Sequence, residues 1–153
     1  MPLYLGQMTQ KNLYIATIKS IEAEDLVKEP INREFDFIPL IRRGLYKKNL
    51  VKLAEQMSMS IKDMAAILPV SERTLKRYRN TTRLSPELSE RLLKLSELYI
   101  KGIEVIGSKE KFKKWMNIES LAIGKKPINV IDTLTGIQSV KDELGRIEYG
   151  VYI

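Results

Sequence analysis

The 153-residue chain has no cysteine and no histidine. Without thiols it forms neither disulfides nor thiolate metal sites, and without imidazole it lacks the usual general base and the commonest zinc ligand. Most hydrolase and metalloenzyme chemistries are therefore closed to it. Glu and Asp remain, but nothing arranges them beyond ordinary helix surfaces, so no catalytic residue, metal or cofactor is expected and the chain does not read as an enzyme. Long apolar runs are missing too. The longest stretch without a charge is residues 1–10, short of the roughly 18 to 20 apolar residues that cross a bilayer. No basic segment precedes it and no small-residue cleavage site follows it. These absences predict a soluble, cytoplasmic protein with no membrane partner and no small-molecule substrate.

What is present is unevenly placed charge. The chain carries 26 Lys+Arg against 19 Asp+Glu, a net +7. Residues 1–41 hold 4 basic and 6 acidic side chains, residues 42–83 hold 11 and 3, and residues 84–153 hold 11 and 10. The excess therefore lies in one central segment, which is the electrostatic footprint of a polyanion-binding surface.

The hydrophobic pattern is helical. Residues 1–36 mix apolar and polar side chains without a sustained period, with a helix expected over Tyr14 to Val27 and a boundary near Pro30. From Ile38 onward the helical pattern is expected to continue. Leu50, Leu53, Ala54 and Met57 form one stripe, and Ile61, Met64, Ala65 and Leu68 another, behind a Ser60–Asp63 capping box. Ser85, Pro86 and Glu87 start a long helix in which Leu88, Leu92, Leu95, Tyr99, Ile103 and Ile106 keep steps of three or four until Gly107. Ser108 caps a helix with Phe112, Trp115 and Met116 on one face. Pro127 to Ile131 suggests a short helix, and Ile137, Val140, Leu144, Ile147 and Val151 extend a last one. With no strand pattern and no internal repeat, the expected fold is all-α.

Ser60 to Asn80 reads as a helix-turn-helix. Such a motif needs a small residue in its first helix and an apolar residue ten positions later, and Ala65 and Leu75 meet that spacing. Ser71 caps the second helix and Thr74 precedes Leu75, and both are counted among the DNA-binding residues. A helix from Ser71 to about Asn80 turns Leu75 and Tyr78 inward and groups Arg73, Lys76, Arg77 and Asn80 outward, as a groove-reading surface for DNA. Arg79 and Arg83 lie off that face and suit phosphates, as do Arg42, Arg43, Lys47 and Lys48. The usual turn glycine is replaced by Pro69, which cannot take positive φ, so the turn must differ. A helix pair used only for packing is the alternative.

From Leu84 onward the sequence resembles the antitoxins of the Xre/MbcA/ParS group. The resemblance is carried by RLSPELSERLLKL at 83–95, FKKWM at 112–116, INVIDTLTG at 128–136 and above all ELGRIEYGVY at 143–152. It implies a helical N-terminal helix-turn-helix (Xre-like) domain followed by a helical toxin-binding domain. It also implies a type II toxin-antitoxin pair whose toxin, of the RES or a related ADP-ribosyltransferase-like kind, attacks NAD. In that group the C-terminal region covers the toxin's active site and the helix-turn-helix binds the operon's own operator DNA. The expected organisation is an N-terminal extension over 1–36, a DNA-binding domain over 37–84 and a toxin-binding domain over 85–153.

The toxin-facing residues implied by the closing motif are Arg146, Ile147, Glu148, Tyr149, Gly150, Val151 and Tyr152. Tyr149 and Tyr152 near the chain's end suit an interface, where aromatic side chains are enriched; packing into the protein's own core is the alternative. Arg146 and Glu148 either pair with toxin groups or face water. A homodimer is expected, since helix-turn-helix readers bind paired half-sites, with Leu93, Leu98 and Ile100 either at the dimer surface or packed within the chain. A stand-alone transcriptional regulator whose C-terminal half only dimerises is the competing reading.

Overall fold

The computed structural model describes residues 8–150. It is helical, as the periodicity predicts, with no strand among the described residues. No helix among them is long and apolar enough to cross a membrane. They form two compact units, residues 8–97 and residues 98–150.

The first unit begins with α1 (Gln10–Ser20), capped by the Thr9 hydroxyl, which accepts from the Asn12 amide at 3.1 Å. This helix starts earlier and stops sooner than the span expected over Tyr14 to Val27. It stops because Glu22 takes a left-handed φ of 55°, which diverts the chain into a 3-10 turn at Glu24–Leu26. The diversion is held from a distance. Buried Asn49 donates from Nδ2 to the carbonyls of Ile21 and Glu22, while its Oδ1 accepts from the Tyr46 amide. One fully buried amide thus caps its own helix and fastens the N-terminal segment.

The helical pattern from Ile38 is carried by separate helices. α2 (Ile38–Arg43) ends at Gly44, whose φ of 88° favours glycine, and α3 (Lys47–Met57) starts three residues later. A β-carbon at Gly44 would lie 2.4 Å from the Leu84 carbonyl oxygen. That close approach exists because residues 80–84 run alongside residues 45–48: the Leu84 amide donates to Leu45, and those of Lys47 and Lys48 to Thr82 and Asn80. α4 (Ile61–Ile67), α5 (Glu72–Arg77) and the first part of α6 (Pro86–Ile106) complete the unit. Leu50, Leu53, Met64, Leu75 and Leu92 are fully buried. Leu93 and Leu98 are buried within the chain as well, leaving Ile100 half-buried, so the first two are not available to a dimer surface.

The second unit holds the end of α6, α7 (Lys109–Met116), a 3-10 turn at Pro127–Asn129 and α8 (Leu134–Glu148). Phe112 sits edge-on to Tyr99 and stacked on half-buried Trp115, with centroids 5.8 and 5.9 Å away. Burial, with a smaller push from Glu110, raises the Tyr99 hydroxyl to about 12. Gly102 lets the Phe112 ring in: a β-carbon there would stand 2.2 Å from it. Helix propensity alone would favour alanine at Gly102 by about 1 kcal/mol, whereas overfilling a packed core costs about 1–3 kcal/mol. Gly102→Ala should therefore destabilise this unit by up to about 2 kcal/mol, read as an earlier urea transition in the fluorescence of Trp115, the single tryptophan.

Candidate functional site

α4 and α5 pack against each other as a helix-turn-helix. Ser60 and Asp63 form the expected capping box, with reciprocal bonds of 3.0 and 3.2 Å. Between the helices no residue takes a positive φ. Leu68 is extended, as a residue before proline must be, and the Val70 amide donates to the Leu68 carbonyl at 2.8 Å. This is a γ-turn centred on Pro69, a geometry that proline's fixed φ suits. The missing turn glycine is thus replaced by a different turn. Ser71 then caps α5, accepting from the Thr74 amide at 3.1 Å while its hydroxyl meets Thr74 Oγ1 at 2.8 Å. Both hydroxyls are occupied in starting the helix.

α5 is shorter than its sequence suggests. It ends at Arg77, because Tyr78 turns extended and the following residues join the strap against 45–48. Leu75 is fully buried and Tyr78 half-buried, while Arg73, Lys76 and Arg77 face solvent on the helix, as expected. Asn80 and Arg79 are exposed but lie beyond the helix end, so Asn80 is not on the face projected for it. Arg83 donates to the Gly44 carbonyl at 2.6 Å and lies 4.3 Å above the Tyr46 ring. Lys47 donates to the Tyr78 carbonyl, Arg43 to that of Leu26, and Lys76 pairs with Glu72 at 3.3 Å. Arg42, Arg73, Arg77 and Arg79 are left with no partner among the described residues. An unpaired guanidinium presents its whole donor fork to phosphate or to a base edge.

At the other end of the chain, α8 runs from the Thr133 cap to Glu148, with Ile137, Val140 and Leu144 buried. Glu148 is bound by Lys101 at 2.8 Å, both side chains largely covered, and Arg146 by Glu143 at 2.7 Å. These two charges are therefore satisfied inside the unit. Ile147 is half-buried, Tyr149 is 67% exposed at the helix end, and Gly150 follows with φ 71°. Val151 and Tyr152 lie outside the described residues. Three further apolar side chains stand in solvent in this unit: Ile118, Leu121 and Leu134. Sequence reading missed them because none of the three falls on a sustained helical period.

Residues 36–97 match the family model of the antitoxin Xre-like helix-turn-helix domain, and residues 101–150 that of the antitoxin Xre/MbcA/ParS C-terminal toxin-binding domain. The chain belongs to the Xre family of antitoxins. Only residues 98–100 separate the two Xre-type matches. Among curated proteins it resembles the antitoxin Xre of Yersinia enterocolitica serotype O:8 / biotype 1B (strain NCTC 13174 / 8081), at 31% identity over 86 residues. The match covers 54% of this chain and 58% of that relative, so it spans little more than half of either. Neither matched Xre domain is an enzyme domain.

Proposed function

We propose that this chain is the antitoxin of a type II pair, that its C-terminal unit covers the active site of an NAD-consuming toxin of the RES or ADP-ribosyltransferase-like kind, and that α5 binds the operon's own operator to repress it. The observation that carries the toxin half is Tyr149. A large aromatic side chain is held two-thirds exposed at the end of a helix whose last charges are already paired within the chain. Binding energy at interfaces concentrates in such aromatic anchors. The DNA half is supported by the unpartnered Arg73 and Arg77 on the outer face of α5. In this reading Tyr149 to Tyr152 occupy space that the dinucleotide needs, and the protein acts on DNA as a homodimer.

Co-expression with the product of the adjacent open reading frame tests the proposal. That product alone should stop growth and deplete NAD, and the intact chain should reverse both and co-purify with it. A chain lacking residues 149–153 keeps the Glu148–Lys101 pair, and should lose neutralisation while retaining DNA binding. Full protection by the truncated chain would remove the tail from the mechanism, and growth arrest without NAD loss would replace the assigned toxin chemistry.

A further inference from the structure

The second unit carries a charge pattern that its near-neutral total conceals. Lys109, Lys111, Lys113 and Lys114 occupy α7, and Lys125 and Lys126 follow eleven residues after Lys114, against only Glu110 and Glu119 in the same stretch. The two groups are brought together. α7 packs on the 3-10 turn that directly follows Lys126, and the intervening loop is closed by the Ser120 amide on the Lys125 carbonyl and the Gly124 amide on Ser120. All six lysines are exposed, and none forms an ion pair with a described residue. Elsewhere in this unit Lys101 and Arg146 are both paired.

We infer that this lysine surface is a second contact for duplex DNA, made with the phosphate backbone and without sequence readout. With Phe112 and Met116 inward, a helix turning 100° per residue spreads its four lysines over the whole solvent arc. Six unpartnered cations within residues 109–126 repel one another, and a polyanion relieves that repulsion. Their identity selects the kind of partner. Protein interfaces are depleted in lysine, because fixing so flexible a side chain loses much rotamer entropy. Phosphate contacts demand no fixed geometry, since their free energy comes largely from counterion release. No arginine lies in the stretch to read guanine, and the Asn117 amide is already committed to the Lys113 carbonyl.

The test is the salt dependence of binding by the full chain to a random-sequence duplex of 24 base pairs, followed by fluorescence anisotropy. Each phosphate contact contributes about −0.9 to the slope of log K against log salt, so replacing all six lysines by Gln should make it shallower by about 3.6 if four of them reach phosphates. A second variant, Lys113→Gln, Lys114→Gln, Lys125→Gln and Lys126→Gln, should show a smaller change of the same sign, and serves if the six-fold variant misfolds by circular dichroism. Arg73→Ala with Arg77→Ala should lower binding but keep the lysine contribution, so failure of the operator reading is seen separately. An unchanged slope in the lysine variants, or no binding by the parent chain at low salt, overturns the inference. So does an unchanged slope accompanied by loss of the co-purifying protein, which would give the surface to an acidic protein face instead. Ile118 and Leu121 remain in place in both variants to keep that outcome readable.

Discussion

A Gly136→Ala variant should lose the native packing of the C-terminal unit. Gly136 lies in the first turn of α8, where its amide donates to the Thr133 cap at 2.9 Å. A β-carbon there would fall 1.6 Å from the Val130 carbonyl oxygen and 2.5 Å from its carbon. Unlike the Phe112 ring that faces Gly102, this obstacle is backbone and cannot rotate away. Relief requires the segment before α8 to move, and that segment buries Pro127 and Ile131. Small-to-large substitutions in tight cores cost about 1–3 kcal/mol, and the immovable obstacle places this one at about 3 kcal/mol or above, beyond the roughly 1 kcal/mol that alanine gains in a helix. With a urea dependence of about 1–3 kcal/mol per molar, the Trp115 transition should shift by about 1 M or more. A transition coincident with that of the parent chain would mean that the turn relaxes at no cost. Neutralisation in cells should fall with stability, because the end of α8 that we propose faces the toxin is anchored through this turn.

The C-terminal half was legible through its resemblance to the Xre group, and the same glycine closes one of the segments that carry it. INVIDTLTG is a local device: a threonine cap, a glycine three residues on and a proline-led turn before it specify their geometry with no partner elsewhere. Ser60, Ser71 and Ser108 are equally local, and the sequence marks all three helix starts. What could not be read was every feature set by a distant residue. Glu22 breaks α1 because Asn49, remote in sequence, holds the carbonyls on either side of the bend. α5 stops at Arg77 without a local breaker, because residues 80–84 pair with residues 45–48. That strap also claims Arg83 and Lys47, which by residue type alone look the same as the free Arg73 and Arg77. Charge density marks the region proposed to face DNA, but only the fold separates cations already bonded within the chain from those that remain available.

Replacing Arg73 and Arg77 together by alanine should reduce operator affinity at least a hundredfold while leaving the fold and the toxin complex intact. Neither side chain has a partner among the described residues, so their removal orphans nothing, and alanine in an exposed helix position carries no propensity penalty. Ser71, Leu75 and the γ-turn at Pro69 remain to hold α5 in place. The two losses differ in kind. An arginine bidentate on guanine accounts for about 1–3 kcal/mol of discrimination against other bases, whereas one on phosphate weakens all sequences alike and removes about 0.9 from the salt slope. Single variants measured on the operator and on a random duplex between 50 and 200 mM salt, roughly the range over which phosphate contacts dominate, therefore assign each role. A loss confined to the operator marks a base-reading residue; an equal loss on both, with a shallower slope, marks a phosphate contact. Unchanged operator binding by the double variant would show that α5 is not the reading helix. Parallel loss of DNA and toxin binding, with a normal Trp115 transition, would show that the two halves of this antitoxin do not act separately.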